Sequence, residues 1–307
     1  MTCAAIPDLH AEDAALIPAL AERDVHAEPA VWDDPHVDWA SYDAVVIRST
    51  WDYPGRRSEF LAWAANVPRL LNPPNVVRWN TDKHYLQALT EHGLPVVDTL
   101  WLEPERDFDK RALHNRFPAR EDFVIKPAIG AGTIDTGRYT ATDADSRRFA
   151  IQHAQRLLHE GRSVMVQRYM SQVDVHGEVA LIFFHGTFSH AVRKSGMLHG
   201  AERAESGLYM QEEMSPYRAT PAEIEAGQQI LAFARARIPG RSISSRPLPY
   251  ARVDLVPSSK GEPLLMELEL VEPSLFYSLA TGALERFADS LVAELRMGPD
   301  PANIDLA

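Results

Sequence analysis

Cysteine is nearly absent from this chain of 307 residues, with Cys3 as its one example. An intramolecular disulfide is therefore excluded, and a metal site built on cysteine is not expected. Long hydrophobic runs are also missing, because the segment VALIFF at 179–184 is far shorter than the roughly 20 residues that cross a bilayer. Acidic residues come too early in the N-terminal segment for a signal peptide. We expect a cytoplasmic protein without a membrane partner.

Positive charge is scarce, with 31 lysines and arginines against 43 aspartates and glutamates and a formal net charge of −12. This balance disfavours a protein that binds nucleic acid or anionic lipid over a broad face, but it allows a local cationic pocket for phosphates. The apolar share of 45% and the charged share of 24% exclude a disordered chain, collagen or a coiled coil. The length fits one large domain or two to three small ones.

The N-terminal part of the chain alternates short apolar runs with amphipathic stretches. Strands are predicted at 2–7 and 45–47, with a helix at 12–24 between them. This order predicts a βαβ unit with a parallel sheet, followed by a boundary at 68–74. Loops after the carboxyl ends of such strands hold ligands. The residues at that position are Arg48, Ser49, Thr50, Trp51 and Asp52.

The rest of the chain is predicted to contain further strands and helices and one long mobile loop. The first helix of this part begins at an N-cap at Asn80 or Thr81 and ends before Gly93. The further elements, in chain order, are strands at 95–102 and 123–126, a helix at 143–160, a strand at 163–170, a β-hairpin turning at His185-Gly186-Thr187, the loop at 195–218, a helix that begins with a capping box at 220–223, strands at 250–256 and 264–271, and a helix at 279–296.

The segment YARVDLVPSSKGEPLLMELELVEPS at 250–274 carries the strongest chemical signal. A turn centred on Lys260-Gly261 makes it a hairpin in which Asp254 lies opposite Glu267 and Arg252 opposite Glu269. Because side chains alternate along a strand, these charged residues share one face. The predicted apolar face consists of Ala251, Val253, Leu255, Met266, Leu268 and Leu270.

Opposed carboxylates predict either a metal site or an exposed ladder of charges. Like charges that face each other destabilise a sheet, and a bound divalent cation reverses that effect. Carboxylates without histidine or cysteine suit Mg²⁺, which is usually held by a few carboxylates together with nucleotide phosphates. A solvated face with a charge ladder explains the same pattern without a metal.

Two lysines upstream supply a complementary cationic pattern. Lys126 ends the apolar strand FVIK and precedes the small-residue turn at 127–133, and Lys83 lies on the helix before it. A lysine beside such a turn can contact phosphate oxygens, because small residues let backbone N–H groups approach. A plain hairpin turn explains the glycines equally well. The Walker P-loop and the Rossmann dinucleotide pattern are both absent.

The order of these features resembles the ATP-grasp superfamily of carboxylate–amine and carboxylate–thiol ligases. The features are a lysine, a strand-end lysine with its loop, the Q-R-Y-M segment at 167–170, an acid, basic residues and the Asp…Glu-x-acid pattern. The segments IRSTWDYPGR, NPPNVVRWNTDKHYL and MELELVEPSLFY look like the subgroup that contains O-ureido-D-serine cyclo-ligase. The resemblance implies an α/β fold with an α+β lid. Its parts would be an N-terminal pre-ATP-grasp βαβ substrate domain at 1–98, a lid subdomain at 99–168 and a C-terminal antiparallel-sheet catalytic subdomain at 169–307.

The same resemblance implies a set of functional residues. The implied ATP contacts are Lys83 and Lys126 at the phosphates, Gly130, Gly132 and Thr133 in the adjoining loop, Gln167, Arg168, Tyr169 and Met170 at the adenine, and either Asp174 or Glu178 at the ribose. The implied metal ligands are Asp254, Glu267 and Glu269, with Glu269 in place of the usual asparagine. The implied catalytic residues are Arg193, Lys194 and Arg252, and the implied substrate contacts are Arg48, Ser49, Thr50 and Asp52.

The implied reaction is ATP-dependent activation of a carboxylate as an acyl phosphate, followed by attack of an amine nitrogen. Within the subgroup this step closes O-ureido-D-serine to D-cycloserine, with ATP and two Mg²⁺ ions as cofactors. An intermolecular amino-acid or peptide ligase of the same fold and a metal-dependent hydrolase that needs no nucleotide are the alternatives. A small amino-acid-like substrate is expected, nucleic acid is not, and analogy with related enzymes implies a homodimer. The loop at 194–209, which includes Arg203, is expected to close over the acyl phosphate.

Overall fold

The computed structural model describes residues 1–195 and 214–298. Its N-terminal part contains two short helices, two short strands and a longer helix between those strands. These elements are α1 at Ala11–Ala14, α2 at Leu16–Ala21, β1 at Val45–Val46, α3 at Arg57–Asn66 and β2 at Leu70–Leu71. Because β1 and β2 pair in parallel, the predicted βαβ arrangement is present. Strand β2 lies inside the stretch that the sequence predicts to be a boundary.

Two details of the N-terminal prediction are corrected by the structure. The strand predicted at 2–7 is wrong, because only Thr2 forms isolated bridges before the chain turns. The helix predicted at 12–24 is divided into α1 and α2. The division has a local cause, since Pro18 has no N–H to donate to the preceding turn.

The helix predicted from Asn80 or Thr81 is also divided. Its region contains α4 at Pro74–Asn80 and α5 at Tyr85–Glu91, so Asn80 ends one helix instead of capping the next. Gly93 follows the C-cap of α5 with a φ of +75°, which is the left-handed conformation predicted for it. The turn between α4 and α5 carries Lys83, and this turn faces the small-residue loop.

The middle of the chain forms a four-stranded antiparallel sheet with order β3-β6-β4-β5. Its elements are β3 at Thr99–Leu102, α6 at Lys110–Arg116, β4 at Phe123–Pro127, β5 at Gly137–Tyr139, α7 at Ala144–His159 and β6 at Val164–Arg168. The buried side of α7, which includes Ala154 and Leu157, packs on this sheet with Phe123 and Ile125. The other side of the sheet is thereby left to form one wall of a cavity.

The C-terminal part forms a five-stranded sheet with order β11-β10-β7-β8-β9. Its elements are α8 at Val173–His176, β7 at Glu178–Phe184, β8 at Thr187–Lys194, β9 at Met214–Tyr217, α9 at Pro221–Arg237, β10 at Tyr250–Pro257, β11 at Pro263–Glu269 and α10 at Ala283–Met297. Strand β9 lies at the end of the loop predicted over 195–218, which corrects that prediction. Residues 196–213 of the loop lie outside the described part.

The turn between β7 and β8 confirms the predicted hairpin. His185 and Gly186 have φ values of +48° and +72°, and Thr187 pairs with Phe184. Two successive residues with positive φ are typical of the type I′ turn, which suits the twist of a two-residue hairpin.

The two faces of the five-stranded sheet explain why charged residues are buried in it. Ala251 and Val253 face a core shared with α5 and α9, whereas Tyr250 faces a second core that contains Phe287 of α10. Helix α10 covers only one end of the second face. The next residues on that face of β10 are Arg252 and Asp254, which line the cavity between the two sheets.

Within the described residues, no helix has both the length and the apolar character of a membrane span. The domain bounds at 98 and 168 and the homodimer stay predictions. Strands β3 to β6 fall within 99–168, and strands β7 to β11 fall after it.

Candidate active site

A cavity between the four-stranded and five-stranded sheets gathers most of the predicted site residues. The predicted residues that line it are Lys83, Lys126, Gly130, Gly132, Thr133, Gln167, Arg168, Tyr169, Met170, Glu178, Lys194, Arg252, Asp254, Glu267 and Glu269. These residues come from both sheets and from the turn before α5. Their convergence is a property of the tertiary fold and not of any single local element.

The acidic hairpin has the predicted register at its charged positions. Asp254 pairs with Glu267 and Arg252 pairs with Glu269. The register then shifts, and Leu255 pairs with Leu265, so Met266 is an extra residue in a β-bulge. Met266 therefore does not belong to the apolar face, which corrects the prediction, and its side chain lines the cavity.

Arg252 and Lys194 hold the carboxylates at the centre of the sheet. The Arg252 guanidinium donates from Nε to Asp254 Oδ1 and from Nη2 to Asp254 Oδ2, both at 2.9 Å, and it also contacts Glu269. Lys194 Nζ donates to Glu178 Oε1 and Asp254 Oδ2, each at 2.7 Å. The result is a buried network of alternating charges that places two cations where phosphate oxygens would meet them.

Lys83 and Lys126 approach the same carboxylates from the opposite wall. Lys83 Nζ lies 3.2 Å from Glu267 Oε1 and donates to the Gly130 carbonyl at 2.7 Å. Lys126 Nζ lies 3.9 Å from Met266 Sδ on the hairpin. The two ammonium groups thus face the acidic hairpin across the cavity.

The pKa values in this network reflect burial set against neighbouring charge. Burial alone would raise the pKa of Asp254, but Arg252 and Lys194 outweigh it and lower that pKa to about 2. Burial dominates at Glu269 and raises its pKa to about 8, with the Asp254 carboxylate adding to the increase. Burial also lowers the pKa of Lys126. Asp254 is therefore the acid most firmly held in its ionised form.

The loop between β4 and β5 brings backbone close to the two lysines. Gly130, Gly132 and Thr133 all line the cavity, as predicted for a loop that contacts phosphates. Thr133 has a φ of +62°, an uncommon conformation for a β-branched residue. Asp135, just beyond it, pairs with Arg156 at 2.5 Å and Arg162 at 2.6 Å, which ties the loop to α7 and to the turn after it.

The cavity lining also includes apolar residues. Val124, Met266, Leu268 and Val173 belong to it, together with the segment 167–170 that the resemblance places at the adenine. Gln167 is 2% exposed, and its Nε2 donates to Thr99 Oγ1 at 2.8 Å. An apolar slot bordered by backbone is the usual environment of a nucleobase in a pre-formed site.

Asp174 and Glu178 are the two acids that the resemblance offers for the ribose. Of these two, Glu178 lines the cavity and Asp174 does not. Asp174 accepts a hydrogen bond from the Tyr169 hydroxyl and lies 3.7 Å from Arg138 Nη1. Tyr169 in turn stacks beneath the Arg138 guanidinium, 3.6 Å from the ring centroid. Asp174 thus orients Tyr169, which lines the cavity.

The structure does not bring the four predicted substrate residues after β1 to the cavity. Arg48 is buried in an ion pair with Asp13, with Nε 2.9 Å from Oδ1. Ser49 donates to the other oxygen of Asp13 at 2.8 Å, and Asp52 accepts from the Trp32 indole at 3.1 Å. Thr50 is likewise fully buried, outside the cavity lining. Arg48, Ser49 and Asp52 thus have partners in the N-terminal part of the chain, whereas Arg48 Nη1 and Thr50 Oγ1 are buried without a hydrogen-bond partner among the described residues.

Arg193 is also absent from the cavity lining. Lys194 points into the cavity, and its neighbour on β8 points to the opposite face because strand side chains alternate. The Arg193 guanidinium lies over the Tyr217 ring at 4.3 Å from the centroid. Its predicted catalytic role is therefore not supported by its position. Arg203 lies outside the described residues.

Sequence reasoning missed a group of cavity residues. These residues are Tyr53, Asn80, Glu272, Ser274 and Phe276. For Trp51, core packing and a cavity wall are equally compatible with the sequence, and the structure combines both, with 8% exposure and a place in the lining. Glu272 follows β11 in an irregular segment where neither helix nor strand periodicity identifies the inward side.

The donor chemistry of the hairpin fits Mg²⁺. Asp254 and Glu267 are hard oxygen donors on directly paired positions of adjacent strands. Among residues 1–195 and 214–298, no group of three histidine, cysteine or acidic side chains converges as a ready-made metal site. This agrees with a cation that is held by one or two carboxylates together with phosphates. Glu269 contacts Arg252 instead of joining the other two.

His84, beside Lys83, ties the turn before α5 to the four-stranded sheet through a pH-dependent contact. Its Nδ1 lies 2.5 Å from Asp82 Oδ1, its Nε2 lies 3.1 Å from Glu103 Oε1, and its ring stacks on Trp101. The hydrogen bond with Asp82, opposed by burial and reinforced by Glu103, raises the pKa of His84 to about 8.

Because the pKa of His84 is higher in the folded state, its protonated form stabilises the fold. The contribution is fully present below the unfolded pKa of roughly 6.5 and is lost as pH rises through about 8. We expect wild type to lose about 1 kcal/mol more unfolding free energy than His84→Gln between pH 6 and pH 9, after allowance for solvent screening. Urea unfolding of wild type and His84→Gln at pH 6 and at pH 9 measures the unfolding free energies. His26→Gln, with a side chain 90% exposed, is the matched control, and equal losses in wild type and His84→Gln would contradict the assignment.

Two sheets that enclose a cavity, with lysines on one wall and an acidic hairpin on the other, define an ATP-grasp ligase. Residues 1–72 match the family described as the N-terminal domain of the D-cycloserine synthetase DcsG. Over 287 residues the chain is 36% identical to the cycloserine biosynthesis protein DcsG of Streptomyces lavendulae, covering 92% of this chain and 93% of that protein. The chain belongs to the DcsG family.

Solved structures agree with this placement. A crystal structure of D-cycloserine synthetase DcsG superposes with a TM-score of 0.84 at 34% identity, covering 96% of this chain and 98% of that chain. A RimK domain ATP-grasp protein from Sphaerobacter thermophilus reaches a TM-score of 0.63 at 18% identity, covering 92% and 96%. The second similarity concerns the fold alone. The predicted ATP-grasp fold class and the ligase class are thereby confirmed.

Proposed function

We propose that this chain uses ATP to activate the carboxylate of O-ureido-D-serine and then closes the ring of D-cycloserine. The observation that carries the proposal is the identity of 36% to DcsG over 92% of the chain. The cavity supports it, because four cationic side chains and a hairpin of carboxylates meet there beside an apolar slot. That combination suits a nucleoside triphosphate with its metal.

The proposed chemistry has two steps. In the first, a substrate carboxylate oxygen attacks the γ-phosphorus of ATP, and the bond between that phosphorus and the β–γ bridging oxygen breaks to release ADP. In the second, the nitrogen bonded to oxygen in the same substrate attacks the activated carbonyl carbon, and phosphate leaves. Hydrolytic loss of the carbamoyl group from that nitrogen completes the balance of atoms between substrate and product.

The described residues have distinct roles in this scheme. Lys83, from the turn before α5, and Lys126, from β4, bind the α- and β-phosphates, because both line the cavity beside the acidic hairpin. Lys194 and Arg252 neutralise charge at the transferred phosphoryl group and on the carbonyl oxygen during nitrogen attack. Asp254 and Glu267 would hold Mg²⁺, which neutralises phosphate charge during transfer. A second ion would use Glu269, with Arg252 released from it.

The two alternative functions have less support. An intermolecular ligase would share this cavity, and the solved structures of such ligases resemble the chain only at the level of the fold, for example D-alanine–D-alanine ligase from Bacillus anthracis at 17% identity. A nucleotide-independent hydrolase would need the hairpin acids to share a metal among themselves. The similarity to the synthetase DcsG gives this alternative no support.

A coupled assay of ADP release tests the proposed function. We expect ADP and phosphate to appear only when O-ureido-D-serine and Mg·ATP are both present, because the carboxylate is the phosphoryl acceptor. Mass spectrometry should then find one product that is lighter than the single substrate. D-Serine, which lacks the attacking nitrogen, is the control and should give no ring. A product that combines two substrate molecules, or turnover without ATP, would contradict the proposal.

A further inference from the structure

The segment after β11 forms part of the cavity wall, and hydrogen bonds hold its backbone in place. The Pro273 carbonyl accepts from Arg48 Nη2 at 2.6 Å, and the Ser274 carbonyl accepts from Arg252 Nη1 at 3.1 Å. The Trp51 indole lies 3.4 Å from the Glu272 carbonyl oxygen. These contacts fix the backbone at Glu272 and after it, and the Tyr250 hydroxyl donates to the Val271 carbonyl at 2.9 Å just before it. Its carboxylate lines the cavity from a defined position.

Glu272 differs from the other acids of the cavity in its surroundings. Asp254, Glu267, Glu269 and Glu178 each form an ion pair with a lysine or arginine. Among the residues that the structure describes, no lysine, arginine or histidine nitrogen lies within 4.0 Å of the Glu272 carboxylate. The Tyr53 hydroxyl, a neutral group, lines the same cavity and lowers the pKa of this carboxyl.

Tyr53 is fixed as firmly as Glu272. Its ring is 4% exposed and stacks on Phe60 with centroids 5.0 Å apart. Burial raises the pKa of the Tyr53 hydroxyl, and the negative charge of Glu272 raises it further. The hydroxyl therefore keeps its proton and can act as a hydrogen-bond donor. A carboxylate that accepts one neutral hydrogen bond keeps acceptor capacity for a further group.

We propose that Glu272, oriented by Tyr53, binds the α-ammonium group of the amino-acid substrate. The proposal rests on the proposed function and adds a recognition site to it. An ammonium ion supplies three donors and the charge that the Glu272 carboxylate lacks. The location suits an α-amino acid, whose ammonium lies two bonds from its carboxyl carbon. Glu272 lines the same cavity as Lys83 and Glu267, to which the phosphates are assigned in the proposed function.

The protonation state of Glu272 depends on whether an ammonium group is bound beside it. Burial raises the pKa of this carboxyl to about 7, although the hydrogen bond from Tyr53 and the charge of Lys83 oppose the increase. A bound ammonium would favour the ionised form. Glu272 would thus select substrates with a free amino group and disfavour N-acylated ones, which leave the carboxylate without its counter-charge.

The variants Glu272→Gln and Tyr53→Phe test this subsite. Glutamine keeps an acceptor for Tyr53 and removes the charge, so the wall should fold unchanged. We expect Glu272→Gln to raise the KM for O-ureido-D-serine about 30-fold, and Tyr53→Phe about 5-fold, with the KM for ATP within about twofold of wild type. Discrimination against N-acetyl-O-ureido-D-serine should disappear in Glu272→Gln. The exposed Glu285→Gln is the control.

Isothermal titration calorimetry on the protein with bound Mg·AMPPNP tests this subsite separately from the proposed function. The titrated ligands are O-ureido-D-serine and D-alanine, and D-lactate is the analogue without an amine. We expect the amines to bind wild type and to bind Glu272→Gln about 30-fold more weakly. If wild type binds them but releases no ADP, the proposed function fails and the subsite stands. If wild type releases ADP and Glu272→Gln keeps both KM and affinity within twofold, the subsite fails. Loss of kcat alone, or no amine binding to wild type, also overturns the subsite.

Discussion

Glu267→Gln is expected to lower the kcat of ADP release about 100-fold or more. Glu267 pairs with Asp254 across the hairpin and lies 3.2 Å from Lys83, so it stands where carboxylate, metal and phosphate would meet. Removing one preorganised charge from a phosphoryl-transfer site costs about two to three orders of magnitude in rate. Steady-state kinetics with O-ureido-D-serine and Mg·ATP measure the effect.

The fold of Glu267→Gln should persist. The substitution loses the attraction of Lys83 and Lys126, and it also removes the repulsion from Asp254, since all three act on the pKa of Glu267. Thermal unfolding should therefore shift by only a few degrees. Glu262→Gln, in the exposed turn of the same hairpin, is the matched control and should keep wild-type kinetics. Full activity in folded Glu267→Gln would remove the metal assignment.

Lys126→Met is expected to weaken the binding of Mg·ADP about 10- to 100-fold. A hydrogen bond from an ammonium to a phosphate is worth roughly 1.5–3 kcal/mol, and Lys126 has only the Met266 sulfur as a side-chain acceptor in its described contacts. Isothermal titration calorimetry gives the dissociation constant directly.

Lys126→Met should not lower the thermal stability of the protein, although it weakens the binding of Mg·ADP. Burial already lowers the pKa of Lys126, so replacing its charge by an apolar chain removes a desolvation cost. The variant should unfold at the wild-type temperature or slightly above it. Lys260→Met, at an exposed position in the hairpin turn, is the matched control. A dissociation constant within twofold of wild type would show that Lys126 does not contact the phosphates.

The charged register of the hairpin could be predicted because two simple rules determine it. Side chains alternate along a strand, and a short glycine turn limits the pairings that remain, so Asp254 and Glu267 were placed correctly. The bulge at Met266 could not be predicted from the same rules. The backbone of Leu265, next to the bulge, hydrogen-bonds with Pro95 and Val97, and the local rules carry no information on these contacts.

The polar residues after β1 show the limit of local patterns. Arg48 and Ser49 have the composition and position of a ligand loop, but their partner is Asp13, on a helix more than thirty residues earlier in the chain. Local sequence carries no information on that pairing. Glu272 shows the reverse error, because it lies in a non-repetitive segment whose sequence pattern gave no reason to select it. Only the tertiary fold brings it into the cavity lining, together with Trp51 and Tyr53.

The central claim is that a triphosphate with its metal lies between Lys83 and Lys126 on one wall and the carboxylates of the acidic hairpin on the other. A crystal structure with AMPPNP and Mn²⁺, recorded at the manganese absorption edge, tests it most directly. The account predicts an anomalous peak in contact with Asp254, Glu267 and the phosphate oxygens, with Lys126 Nζ within hydrogen-bond distance of a phosphate. A peak away from the hairpin, or a nucleotide bound outside this cavity, would contradict it.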